Sequence, residues 1–176
     1  MGDDFLLSGL EKKRLLRERA RALAGKSAQE EDEDQYVDAL EFLLAHERYA
    51  IELTHIKEVC QLSELTPLPG TPSFVLGVIN VRSRILSVVD LKKFFDLPEK
   101  GITDLNKVII LNSAEMEFGI LADSILGVRP ILAKSIQESL PTLTGIRSEF
   151  LKGVTGDRVV VLDGEKILSE EKILVK

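Results

Sequence analysis

Apolar residues recur at alternate positions, or in short solid runs, along most of this chain, and turn residues punctuate them every few positions. The stretch Gly77–Leu91, GVINVRSRILSVVDL, is the clearest case. Gly77 to Val81 and Ile85 to Leu91 read as two strands of a hairpin around the polar wedge Arg82-Ser83-Arg84. Side chains alternate across a strand, so Asn80 and Arg82 are predicted on one face and Ile79 and Val81 on the other. Asp90 then precedes Leu91-Lys92-Lys93-Phe94-Phe95, which fits a carboxylate capping the start of a short helix.

The same pattern extends in both directions. Leu40–Ala45 and Arg48–Leu53 flank His46-Glu47 as a hairpin, Thr54 is placed to cap a single helical turn through Lys57, and Glu58–Leu62 resumes as strand. Between Leu65 and Pro72, Pro67, Pro69 and Pro72 forbid both helix and central strand, so this segment is a surface loop. Further on, Lys107–Asn112 and Met116–Ala122 form a second hairpin around Ser113-Ala114-Glu115, which Asp123–Arg129 extends. Leu151–Val154 and Arg158–Leu162 close the series around Thr155-Gly156-Asp157. Many short strands at this spacing indicate an all-β fold, a barrel or a pair of barrels, with no fixed-period repeat of the solenoid kind.

The first 34 residues break this pattern and add charge to the picture. Phe5–Ala24 is rich in Leu, Arg, Glu and Ala, with Leu6, Leu10, Leu16 and Leu23 as a ragged helical stripe and Gly25 placed to end it. From Lys12 to Lys26 there are seven basic residues and one acidic, a net +6, and Glu30 to Asp34 are all acidic, a net −5. A basic helical arm with an acidic linker is expected over 1–35, and a β domain over 36–176. The arm reads equally as a solubilising appendage or as a docking helix, while cationic residues mixed into its apolar stripe argue against a membrane surface.

Chain-wide composition narrows the function. With 176 residues, 44% hydrophobic and 30% charged, the chain can build one domain with a substantial core or two small ones sharing an interface, and without Trp that core is aliphatic. A net charge of −6 disfavours nucleic acid. Cys60 is the only cysteine, no apolar run reaches membrane-spanning length, and no signal peptide is visible, so the cytoplasm is the expected location. Cys60 with His46 or His55 could be read as a nucleophile, but a lone cysteine alternating within a strand reads better as a small hydrophobe. The histidine spacing matches no metal motif, and no phosphate-binding glycine loop occurs. Asp90 and Asp123 read as a helix cap and a turn or strand-end acceptor rather than an acid–base pair. No catalysis, metal or cofactor is expected.

From about Asp38 onward the chain resembles the CheW-type coupling domain of bacterial chemotaxis. The segments carrying the resemblance are YAIELTHIKEV (Tyr49–Val59), LTPLPGTPSFVLGVINVRSRILSVVDL (Leu65–Leu91), ILADSILGV (Ile120–Val128), FLKGV (Phe150–Val154) and VVVLDGEKIL (Val159–Leu168). The resemblance implies two SH3-like five-stranded β-barrel subdomains. It also implies a non-catalytic adaptor that couples a methyl-accepting chemoreceptor to the histidine kinase CheA. A CheW-like scaffold in a parallel, non-motility signalling array is the alternative, with a ligand-binding barrel or enzyme on the same fold further behind. Carried over residue by residue, the receptor-binding set is Ile56, Glu58, Gly77, Asn80, Arg82 and Gly153, and Ile136 with Leu140 are the apolar anchors toward the kinase. Glu58 and Arg82 also read as a plain ion pair tying two strands. The chain departs from the family in having Ser83 where glycine is usual and Ser87 where proline is usual.

Overall fold

The computed structural model describes residues 35–99, 101–103, 105–138 and 146–173. The chain divides into two compact units, Met1–Tyr36 and Val37–Lys176. The expected helical arm lies outside the described residues, as does all of its linker but the last position. Strand β1 starts at the last residue of the first unit, and every other described element belongs to the second.

Among the described residues there are ten strands: β1 (Tyr36–Leu44), β2 (Glu47–Glu52), β3 (Ile56–Gln61), β4 (Val75–Val81), β5 (Arg84–Val89), β6 (Lys107–Asn112), β7 (Glu117–Ala122), β8 (Ser124–Leu132), β9 (Leu151–Val154) and β10 (Val160–Leu162). The described residues also form three short α-helices: α1 (Leu91–Phe94), α2 (Ile146–Glu149) and α3 (Gly164–Ser169). They form two five-stranded sheets: a central sheet, β3-β6-β7-β5-β4, and a split sheet, β8-β1-β2-β10-β9. Each sheet ends in two edge strands rather than closing on itself, so the expected barrels are met here as five-stranded open sheets. Among the described residues no helix is long and apolar enough to cross a membrane.

The two sheets repeat one plan. Each places a parallel pair third and fourth in its order, β5 beside β7 and β10 beside β2. The pentapeptides Phe74-Val75-Leu76-Gly77-Val78 and Phe150-Leu151-Lys152-Gly153-Val154 occupy the same place on the edge strands β4 and β9. The carbonyls of Phe74 and Phe150 accept, each at 2.8 Å, from the backbone N–H of Asp90 and of Asp163. Both aspartates then cap the following helix, with side chains accepting from Lys92 N and Lys166 N at 2.9 and 3.1 Å.

Both edge strands are covered by a crossing backbone segment, which spares them an open row of unpaired groups. Thr66 of the proline-rich loop exchanges hydrogen bonds with Val78 at 2.8 and 2.9 Å, and Gln137 does so with Val154 at 3.0 Å both ways. Gly77 and Gly153 have φ of +144° and +153°, and a Cβ on either would overlap the carbonyl oxygen of Thr66 or of Gln137. Only glycine allows that approach.

Alternation along the strands divides the core. Val108, Ile110, Leu121, Ile79, Val81, Leu86 and Val88 form a small cluster on one face of the central sheet. Ala39, Ala50, Ile131, Val159 and Val161 do the same on the split sheet. The opposite faces, with Ile109, Leu111, Ile120, Phe42, Tyr49 and Leu162 among them, share the largest cluster. There Phe74 and Phe150 each pack edge-on against Phe94, at centroid distances of 5.1 and 5.3 Å.

Two local expectations are corrected. The turn before β3 is a 3-10 turn over Leu53–His55 that starts from Glu52 with no side-chain cap, so Thr54 caps nothing; Ile56 already enters β3. The segment after Asp123 does not extend the β6–β7 hairpin; β8 crosses to the split sheet and pairs with β1. Asp123 makes that crossing possible. Its N–H donates to Leu43 O of β1 at 3.0 Å and its carboxylate accepts from Ala45 N, in the turn just after β1, at 2.7 Å. The same carboxylate receives Asn106 Nδ2 at 3.2 Å and the fully buried Lys92 Nζ at 2.5 Å. Asp123 is thus a strand-end acceptor and Asp90 a helix cap, as their sequence contexts suggest.

Candidate functional site: the β4–β5 hairpin and its charge ladder

Strands β4 and β5 pair from Val75↔Val89 to Val81↔Arg84, leaving Arg82 and Ser83 as a two-residue turn. Their φ values are +50° and +65°. A two-residue hairpin turn of this hand matches the twist of the strands but demands left-handed backbone twice, which glycine and asparagine meet most cheaply. Here the position before the turn, Val81, and its neighbours Ile79 and Leu86 are buried in the small core, and that anchorage holds the turn. On the opposite face Asn80 sits directly across from Ile85, which is 65% exposed. A large apolar residue set beside an amide and an arginine on a rigid hairpin is a surface suited to contact.

Five charged side chains alternate in sign across one end of the central sheet. Lys57 Nζ lies 3.1 Å from Glu117 Oε2, and Glu117 Oε1 is hydrogen-bonded by Arg84 Nη1. Arg84 Nη2 also donates to Glu58 Oε1 at 3.2 Å. The other oxygen of Glu58 faces Arg82 Nη2 at 3.2 Å. Partial burial raises the pKa of the Glu117 carboxyl, but the hydrogen bonds from Lys57 and Arg84 outweigh it and hold the group below the usual carboxylate range. Burial falls unevenly along the ladder: Glu58 is 19% exposed and Arg82 79%. Among the described residues Arg82 pairs with Glu58 alone.

The split sheet has a counterpart in which three of these charges recur with the sign reversed. Val88, two residues before Asp90, pairs with Gly119, and Val161, two before Asp163, pairs with Ala50. Glu117 and Arg48, each two residues earlier on their strands, are therefore equivalent. Glu58 lies eight residues before Thr66, and Arg129 eight before Gln137, the two edge-bridging residues. Where the central sheet has two glutamates clamped by an arginine of its β4–β5 hairpin, the split sheet has Arg48 and Arg129 clamped by Asp157 of the β9–β10 turn. Arg129 Nη1 and Nη2 reach the two oxygens of Asp157 at 2.8 and 3.1 Å, and Arg48 Nη1 lies 3.8 Å from Asp157. Glu41 completes the set, 3.2 Å from Arg48 and 3.0 Å from Arg129. The hydrogen bonds from Arg129 and Thr155 hold the Asp157 carboxyl far below the usual range.

The residues singled out from the sequence do not all meet. Glu58 and Arg82 are joined, and Asn80 is on the same exposed hairpin face. Ile56 begins β3 and packs on the shared core. Gly77 is buried on β4 under Thr66, while Gly153 is on the other sheet under Gln137, so the two glycines are equivalents rather than neighbours. Ile136 packs on the small core of the split sheet and lines an open groove of about 700 Å3 with Leu151, Lys152 and Lys166. Leu140 lies outside the described residues. Sequence reading missed Arg84, Glu117 and Lys57 as members of the ladder, and Ile85 as its apolar neighbour. Alternation alone places Lys57 and Glu58 on opposite faces of β3, and the bulge between Ile56 and Glu58 is what lets both join one network.

The other candidate chemistry finds no support. Cys60 is half-buried against the small core, and desolvation, helped by the nearby Glu58 charge, pushes its thiol pKa up, away from thiolate. His46 is in the exposed β1–β2 turn, whereas the His55 ring packs against Gly164. Among the described residues no group of three or more His, Cys, Asp or Glu is arranged to hold a metal ion.

Comparison with known proteins places these observations in a family. The family described as "CheW-like domain" matches residues 38–172. The chain is 30% identical to a chemotaxis protein CheW of Treponema pallidum over 147 residues, 80% of this chain and 86% of that one. It is 30% identical to a chemotaxis protein CheW of Thermotoga maritima over 134 residues, 76% and 88% of the two chains. The crystal structure of the scaffolding protein TtCheW from Thermoanaerobacter tengcongensis superposes with a TM-score of 0.65 at 30% identity, covering 73% of this chain and 84% of that one.

Proposed function

Because the chain belongs to the CheW-like domain family, we propose that it is a non-catalytic cytoplasmic adaptor coupling a methyl-accepting chemoreceptor to the histidine kinase CheA. In this reading each five-stranded sheet, curled on its own small core and closed at one edge by a crossing loop, serves as an SH3-like subdomain. The observation that carries the proposal is the β4–β5 hairpin, an edge-protected ridge that presents Arg82, Asn80 and Ile85 outward. Glu58 holds that ridge from β3 through Arg82 and Arg84, and Ile56 begins the same strand on the shared core. Gly77 and Gly153 act through shape, letting the Thr66 and Gln137 backbones close over the sheet edges. The groove lined by Ile136 is the corresponding candidate for the kinase-facing side.

The test is reconstitution. Purified chain is added to receptor-containing membranes and kinase, and phosphoryl transfer is followed with and without it. The adaptor reading expects kinase activity to rise with added chain, no ATP turnover by the chain alone, and loss of the effect in Arg82→Glu at unchanged melting temperature. Intrinsic ATP hydrolysis abolished by Cys60→Ala, or a kinase indifferent to the chain, would overturn it.

A further inference from the structure

The two sign-reversed networks provide an internal comparison. Around the split sheet, Arg48 and Arg129 face Glu41 and Asp157, two cations to two carboxylates, and Arg129 takes both oxygens of Asp157 in a two-pronged bond. That set is matched in charge, although the buried Arg129 Nε makes no hydrogen bond. Around the central sheet Lys57, Arg84 and Arg82 face Glu58 and Glu117, three cations to two carboxylates, and the surplus cation is the exposed terminal one. Glu58 gives its hydrogen-bonded oxygen to Arg84 and turns only the other toward Arg82. A guanidinium carries five N–H donors in a fixed fork, so Arg82 retains most of its donors for a partner.

We infer that Arg84 is the positioning residue of this surface: held by Glu117 on one side, it fixes the Glu58 carboxylate so that Arg82 is aimed outward to take a carboxylate on the partner. The inference rests on the adaptor reading for what the partner is, and on the ladder alone for how Arg82 is held. A neutral or cationic partner residue facing Arg82 would leave the surplus charge unmatched, and two-pronged geometry favours a carboxylate over other acceptors. Arg84→Lys keeps the charge but lacks the rigid planar fork, so it would hold Glu58 and Glu117 in a less fixed geometry.

Arg84→Met, Arg84→Lys, Arg82→Met and the double variant Arg82→Met/Arg84→Met test this in two readouts. The first needs no partner: nitrogen relaxation of the Arg82 guanidinium by NMR should show an ordered side chain in the native protein, a mobile one in Arg84→Met, and an intermediate one in Arg84→Lys. The second is titration of immobilised chemoreceptor cytoplasmic fragments at low and high salt. Arg82→Met should weaken binding about tenfold or more, Arg84→Met by roughly half as much on a logarithmic scale, and the double variant no further than Arg82→Met alone. An Arg82 side chain equally mobile with and without Arg84, or losses that simply add in the double variant, would overturn the positioning role. An ordered Arg82 that depends on Arg84 in a protein that binds no receptor fragment would uphold the ladder and overturn the receptor as its partner.

Discussion

Lys92→Met is expected to be among the most damaging single substitutions in this fold. The Lys92 side chain is fully buried in α1, and its ammonium lies 2.5 Å from Asp123 Oδ1. Methionine replaces the stem and fills the same space, so the loss is electrostatic. It leaves Asp123, only 13% exposed, with Asn106 Nδ2 at 3.2 Å and Ala45 N at 2.7 Å as its remaining donors, both neutral. Removing one partner of a buried pair typically costs about 3–5 kcal/mol, because the surviving charge is uncompensated. For a unit of this size that corresponds to a fall in Tm on the order of 10 °C. Urea denaturation of the full chain, followed by circular dichroism, measures it. The companion variant Lys92→Met/Asp123→Asn removes the stranded charge while keeping an acceptor for Ala45 N, and should return to within about 1–2 kcal/mol of the native protein. A single-variant loss below about 1 kcal/mol, or a double variant no better than the single, would refute the claim that an unpaired charge at the sheet crossing is what costs.

Three further outcomes are expected. Gly77→Ala should cost about 2–4 kcal/mol, since its methyl group meets the Thr66 carbonyl, whereas Gly127→Ala, at φ +134° but facing open space, should cost about 1–2; chemical denaturation distinguishes them. Ser83→Gly should stabilise the hairpin by about 0.5 kcal/mol, seen as a small rise in Tm, because the left-handed turn no longer carries a Cβ. Desolvation raises the Asp90 pKa against the lowering pull of Lys92, so its contribution to stability is greatest below the ordinary carboxylate pKa and is lost as pH rises through the folded value. Asp90→Asn keeps the capping acceptor without the charge, and its urea midpoint should match the native protein in acid and equal or exceed it at neutral pH.

Within each hairpin the pattern was legible, because one buried face and one exposed face write a period of two into the residues, and β4–β5, β6–β7 and β9–β10 all fall where that period predicts. Sheet membership was not. The parallel pairing of β2 with β10 joins Tyr49 to Val160, far apart in sequence, and nothing local marks it. The crossing at Asp123 was hidden for a different reason. Ser124–Leu132 alternates as well as any extension of the preceding hairpin would, and only the hydrogen bonds of Asp123 to Leu43 and Ala45 redirect it. Glu58 and Arg82 were found through resemblance. Arg84 was visible only as one charge in a polar wedge, since its importance lies in two glutamates on other strands.

The paired architecture separates what the fold requires from what it leaves free. Glycine stands at both equivalent edge positions, Gly77 and Gly153, because a backbone crosses each of them, so its presence there is a demand of the fold. The ion pairs behave otherwise. Glu58, Glu117 and Arg84 on one sheet correspond in place to Arg129, Arg48 and Asp157 on the other, with the signs exchanged. The two sheets thus pair charges at this rim with either polarity, which leaves polarity free to serve the recognition proposed for Arg82. Reversing the whole central set, as Lys57→Glu, Glu58→Arg, Glu117→Arg, Arg84→Glu and Arg82→Glu together, should keep stability within about 1–2 kcal/mol, since these pairs are partly exposed and each is worth little by itself. It should abolish receptor binding, because Arg82→Glu would set like charge against the carboxylate proposed on the partner. Melts and a receptor pull-down give the two readings. Binding that survives the reversal would mean that the rim is only a clamp on both sheets, and would remove Arg82 from the recognition surface.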